Sequence, residues 1–252
     1  GDVYKRQTYQ GQGPGEITII GHVGIDETNR RFFVSDHGKL KIFAYDLDSV
    51  LTTPEYQPSV KIDMKKKLFP DDYLYLNDTL CIARIIEPVG NNDYKPSVAR
   101  WNMATGEINP MPYEYPDLKK VRFIYAASAE HQLYVQCYTQ YDLMTICDFN
   151  GNLKCNIYGP KWVNEKTQTQ HYSLGVEFCG DKILALYSGG DHRTDAYYPT
   201  KFLVFDLNGN YLKTLETGYM ITDFCYDKEN NRLIINLNDE IQFAYLDLEG
   251  II

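Results

Sequence analysis

Ser188-Gly189-Gly190-Asp191-His192-Arg193-Thr194-Asp195-Ala196-Tyr197-Tyr198 is the stretch of this chain with the most side chains capable of chemistry. Arg193 offers a planar cation for a carboxylate or sulfate, His192 a hydrogen-bonding or proton-transferring ring, and Tyr197 a stacking surface. The plainer reading is a solvated loop whose charges satisfy one another. Asp191, His192 and Asp195 also carry metal-ligand chemistry, but no second histidine stands at a suitable spacing, and no metal or other cofactor is expected. Asp36 and His37 open another loop, where an aspartate is equally an ordinary turn former. Trp162, Tyr94 and Lys95 supply the aromatic and cationic groups that carbohydrate or peptide sites use, or else pack at an edge. His171 opens an apolar stretch, from which it would reach a central channel together with the carboxylates of Glu177 and Asp223.

The chain has no GxSxG elbow and no HExxH helix. The run Gly11-Gln12-Gly13-Pro14-Gly15-Glu16 lacks the Lys and Ser or Thr of a phosphate-binding loop and reads as a rigid turn. The Asp-x-Asn-Gly turns lack the later carboxylate of a calcium loop. A net charge of -9 argues against nucleic acid, which needs clustered Lys and Arg; the one basic run, Lys65-Lys66-Lys67, reads as a solvated loop. No apolar stretch approaches the roughly 20 residues of a membrane-spanning helix. The six cysteines include no CxxC pair and read mostly as small core residues, with Cys147 and Cys155 flanking one tight turn where a disulfide is conceivable.

The elements that must position these groups repeat. Asp227-Lys228-Glu229-Asn230-Asn231-Arg232 restates the spacing of Asp26 through Asn29 to Arg31, each followed by an apolar strand. Strands ending in a turn residue recur at Asp46, Asn102, Asp148, Asp206 and Asp247, a spacing of about 50 residues that suits propeller blades. Asn150-Gly151 and Asn208-Gly209 have tight-hairpin chemistry, because both residue types accept left-handed conformations. Four strands per unit are expected at 19–25, 32–35, 40–45 and 59–64, then at 72–76, 79–86, 97–102 and 107–112. They continue at 121–126, 132–138, 143–147 and 153–158, and at 171–178, 182–187, 201–205 and 211–215. A last unit has three, at 220–226, 232–237 and 241–246. Second strands such as Lys182 to Tyr187 are apolar on both sides, as strands between neighbouring sheets must be. The expectation is an all-β, six-bladed β-propeller with five blades visible and the first mostly missing.

Gly11 to Glu16, the Phe33 to Asp36 phrase and Ile157-Tyr158-Gly159-Pro160 together resemble the TolB-like six-bladed propeller lipoproteins of Bacteroides-type bacteria, over most of the chain from Thr8 onward. The resemblance implies the fold and a cell-envelope location, periplasmic or at the surface, with membrane contact only through a lipid anchor on a missing N-terminus. It implies no catalytic signature. Residues 1–7, Gly-Asp-Val-Tyr-Lys-Arg-Gln, read as a translated transposase sequencing adaptor, which leaves 8–252 as a single propeller domain with an incomplete N-terminal blade. Gly11 to Glu16 would then cross from a lost blade into the first surviving one.

In a propeller the loops after second and fourth strands share one face. That face would receive 65–70, 87–96, 113–119, 159–170 and 188–200, whereas the other carries short turns apart from 47–58. Long loops on a rigid scaffold are where function concentrates. The leading expectation is a non-catalytic binding propeller engaging a protein, peptide or glycan there. The rival is a propeller hydrolase or lyase using channel carboxylates with His171 or His192, with or without a metal.

Overall fold

The computed structural model describes residues 10–13, 15–53, 55–90 and 93–252. Residues 1–7, with their adaptor reading, lie outside these, as do Pro14 of the glycine turn and the side chain of Asp195. Among the described residues the chain forms five antiparallel meander sheets, the blades of a β-propeller, and one short α-helix. It divides into two compact units, 1–111 and 112–252.

The first unit holds two blades. One is β1 (Ile20–Asp26), β2 (Arg31–Asp36), β3 (Lys41–Asp46) and β4 (Ser59–Asp63); the other is β5 (Phe69–Asn77), β6 (Leu80–Pro88), β7 (Tyr94–Trp101) and β8 (Ile108–Pro110). Their shared core contains Phe33, Ile42, Tyr73, Ala83, Ile85 and Trp101. The second unit holds β9 (Phe123–Ser128), β10 (Leu133–Tyr138), β11 (Leu143–Asp148) and β12 (Leu153–Tyr158) as one blade. Its next blade is β13 (Thr169–Cys179), β14 (Lys182–Asp191), β15 (Lys201–Asp206) and β16 (Tyr211–Glu216), and the last is β17 (Ile221–Asp227), β18 (Arg232–Leu237) and β19 (Phe243–Asp247).

The doubly apolar second strands have a direct physical cause. Successive side chains of a strand point to opposite faces. Ile183 and Ala185 of β14 therefore join one core with Val135 and Ile146, whereas Leu184 and Leu186 join another with Leu233 and Ile235. The repeated aspartates do repeated work. Oδ1 of Asp148 accepts from the backbone N–H of Asn150 and Asn152 at 2.8 and 2.9 Å, and Oδ1 of Asp206 accepts from Asn208 and Asn210 at 2.9 and 2.8 Å. Asp26 takes Asn29 and the Arg31 guanidinium, and Asp227 takes Asn230 and Arg232 in the same way. Arg30 and Asn231 occupy equivalent left-handed positions, with φ of 49° and 48°.

Several expected connections need correction, among them 65–70, which loses Phe69 and Pro70 to β5. The 47–58 connection is not all loop, because Asp46 caps a helix, α1 (Leu47–Thr52), by accepting from the Ser49 N–H at 2.8 Å. The 87–96 loop loses both its ends to strands, since Glu87 and Pro88 pair with Lys95 and Tyr94 across the hairpin. The 188–200 loop loses its first four residues to β14, where Gly190 pairs with Gln170 and Asp191 with Thr169. On the disulfide left open by the sequence, a bulge in the β11–β12 register sets Cys155 opposite Ile146 and Cys147 opposite Leu153, and both thiols are free.

Candidate functional site

In the second unit the connections around 112–122, 139–142, 159–168 and 192–200 are tied to one another. Tyr141 Oη donates to the Lys119 carbonyl at 2.8 Å, the Thr167 N–H donates to Gln140 O at 3.3 Å, and the His192 N–H donates to Gln168 O at 3.1 Å. Beneath them lies a buried polar node that sequence reasoning missed. The Asp142 carboxylate, 1% exposed, accepts from the Lys161 N–H at 2.9 Å and from Tyr187 Oη at 3.3 Å. Gly159 packs directly on it; a Cβ there would lie 2.2 Å from the carboxylate, so this position demands glycine. The Gly159-Pro160 pair was the visible signal of that close approach.

His171 belongs to this node and does not reach a channel. It is 1% exposed, with Nδ1 3.3 Å from Tyr187 Oη and 3.7 Å from Asp142, and Nε2 3.4 Å from Thr167 Oγ1. Burial pushes its pKa below the usual 6.5, and the Asp142 charge offsets this only in part. Burial also drives the Tyr187 phenol upward. Glu177 lies on the same strand, beyond an irregularity in the β13–β14 register between Tyr172 and Val176, and pairs with Leu184. Asp223 lies on β17, where desolvation raises its carboxyl.

The exposed segment after β14 is internally neutralised. Arg193 donates through Nε and Nη2 to Asp191 at 3.0 and 2.6 Å, and those bonds hold the Asp191 carboxyl well below the ordinary range. His192 Nδ1 lies 2.9 Å from Gln168 O; because a carbonyl only accepts, Nδ1 carries the proton. Asp195 and Tyr197 fall in a single 3-10 turn, with Tyr197 stacked on Tyr198 at 4.2 Å. Among the described residues no three His, Cys, Asp or Glu groups converge as a metal site.

Trp162 is the candidate around which a surface assembles. Its ring lies 5.1 Å from Tyr158, 5.8 Å from Tyr115 and 6.3 Å from Tyr141 between centroids. Tyr115 Oη and Tyr158 Oη are 3.3 Å apart, and that bond, with some burial, pushes the Tyr115 phenol up to about 12. Tyr113 Oη accepts from Asn156 Nδ2 at 2.8 Å, fastening the same loop to β12.

The first unit holds the other candidates. Asp36 is fully buried, and its carboxylate accepts from the backbone N–H groups of Thr18, Ile19, Gly38 and Lys39 at 2.8 to 3.1 Å. Those bonds consume its acceptor capacity and pin the glycine turn. In that turn Glu16 Oε2 takes the Gly13 N–H at 2.6 Å, where a phosphate would sit in a nucleotide loop, and Lys39 Nζ donates to the Gly13 and Glu16 carbonyls. His37 packs its ring 5.8 Å from Phe69, leaving Nε2 buried without a hydrogen-bond partner. Tyr94 and Lys95 begin β7 and are exposed. An unanticipated pair is His22 Nδ1 with Asp72 at 3.0 Å; burial would raise the Asp72 carboxyl, but the His22 hydrogen bond and charge outweigh it and lower the pKa.

Residues 1–78 match a family model, DUF5128, described as a 6-bladed beta-propeller. Five blades are described in this chain. No curated protein matches it. Among solved structures, a member of the DUF4221 family from Bacteroides vulgatus is similar at 12% identity and TM-score 0.61, covering 94% of this chain and 81% of that one. The extracellular domain of the BT4673 one-component system from B. thetaiotaomicron aligns at 10% identity and TM-score 0.59, over 96% of this chain and 29% of that chain. A chain of a nidogen/laminin complex aligns at 12% identity and TM-score 0.57, over 92% and 76%. In all, 638 chains match, a breadth that marks a widely used scaffold and selects no single function. At these identities the likeness establishes the fold, which is that of a β-propeller.

Proposed function

We propose that this chain is a non-catalytic binding propeller of the bacterial cell envelope that engages a protein, peptide or glycan through the loop end of its second unit. The observation that carries the reading is how the reactive groups are spent. Asp191 and Arg193 neutralise each other, His192 is tied to a backbone carbonyl, and His171 is sealed beneath the loops with Asp142 and Tyr187. What the loops leave at the surface is aromatic and mixed polar, the composition of a recognition surface. The envelope assignment, and membership of the TolB-like lipoproteins, are supported by the Gly11 to Glu16 and Ile157 to Pro160 motifs and by similarity to a Bacteroides extracellular domain.

The test is turnover together with metal content. The purified protein, checked by elemental analysis, is offered chromogenic esters, phosphate monoesters and glycosides and a uronic-acid polymer. We expect no stoichiometric metal and no turnover. Turnover that disappears in His171→Asn or His192→Asn would establish the hydrolase or lyase reading instead.

A further inference from the structure

The geometry points to a saccharide-stacking site at Tyr115, Tyr158 and Trp162, taking a neutral oligosaccharide. It rests on the binding reading above and names the ligand class for that surface. The three rings come from separate parts of the chain, the 112–122 connection, the end of β12 and the 159–168 loop. They meet edge to face at interplanar angles of 75°, 68° and 62°, so each ring is held by the other two. Tyr141, 2% exposed and bonded in both directions to the Lys119 backbone, packs against Trp162 as a fixed support. Tyr158 remains 50% exposed, which leaves ring surface open to a ligand. Such a cluster loses little conformational entropy when a ligand arrives.

The polar chemistry selects the ligand. A pyranose presents a face of C–H groups that stacks on an aromatic ring and a rim of hydroxyls that needs hydrogen-bond partners. Every ring of the cluster carries a polar atom, and among the described residues Trp162 Nε1 makes no hydrogen bond, so it is a donor available to a ligand. The loops around the rings hold Lys119, Lys120, Arg122, Lys161 and Lys166 against Glu114, Asp117 and Glu165. None of the cation–ring contacts among the described residues falls on Tyr115, Tyr158 or Trp162, so the stacking surface itself is uncharged and suits a neutral sugar.

The chain has two tryptophans, and the other, Trp101, is 2% exposed in the first unit, so a ligand-dependent change in tryptophan emission reports Trp162. The probes are cellohexaose, xylohexaose, mannohexaose and maltohexaose, with a proline-rich decapeptide as the competing ligand. We expect a saturable emission change and protection from acrylamide quenching with at least one hexasaccharide. By calorimetry, Trp162→Ala and Tyr158→Ala should each weaken binding at least about tenfold, with Trp162→Phe intermediate. Should Trp162→Ala not fold, Tyr158→Ala and quenching of the unaltered protein carry the same test. No emission change with any hexasaccharide, or affinity unaltered in both alanine variants, overturns the proposal. A response to the peptide alone overturns the saccharide assignment and leaves the binding reading standing; hydrolysis of a probe overturns the binding reading itself.

Discussion

His171 shows how a side chain that looks catalytic in sequence can be structural. Its ring is held by Tyr187 from its own blade and by Asp142 and Thr167 from the connections packed on it, with Lys161 the nearby cation. The folded pKa lies below 6.5, so as pH falls the unfolded chain takes up this proton first. The stability His171 supplies is therefore fully present above about pH 6.5 and is lost as pH drops towards the lowered folded value. Melting temperatures of the wild type and His171→Asn, followed from neutral to mildly acidic pH, should show the wild type losing more stability across that window. Parallel curves would mean that His171 does not titrate differently in the two states. The sequence displayed the histidine but not its partners, because Asp142 and Tyr187 lie 45 residues apart in the chain.

Elements were far more legible than contacts. Hairpin chemistry and a period of two placed every strand to within a few residues, because an Asn-Gly turn and an alternating strand are local properties. The helix α1 was missed because six residues between strands look like loop unless the Asp46 cap is weighed. The aromatic cluster was half visible: Trp162 stood out, while Tyr115 and Tyr158 were lost among 22 tyrosines and separated from each other by 43 positions. Hairpin geometry also gives a stability prediction. Gly209 has φ of +86°, and a Cβ there would lie 2.7 Å from Cys155 Sγ and 2.8 Å from Ile157 Cδ1. Gly218 has φ of +75° with open space around it. Gly218→Ala carries only the left-handed penalty, about 1 kcal/mol. Gly209→Ala adds displacement of β12 side chains and should cost about 2–3 kcal/mol in urea unfolding. Equal costs would show that the β12 contact yields without resistance.

At the scale of the whole molecule, charge gives a prediction about nucleic acid as a partner. The chain carries a net charge of -9, and Arg30, Arg31, Arg84, Arg193 and Arg232 are each paired with an aspartate. An interface with nucleic acid must instead offer unpaired cations in a cluster, because affinity comes from releasing counterions condensed on phosphates. The one run available is Lys65, Lys66 and Lys67, exposed on the turn before β5. Fluorescence anisotropy with labelled duplex DNA, single-stranded DNA and RNA should show no binding at physiological salt. Were that lysine run to act alone, its three phosphate contacts would make log affinity fall against log salt with a slope of about -2.7 on duplex DNA. Binding with such a slope, abolished by replacing all three lysines with alanine, would overturn the exclusion. Flat anisotropy even at low salt would show that the negative field of the molecule overrides this lysine run.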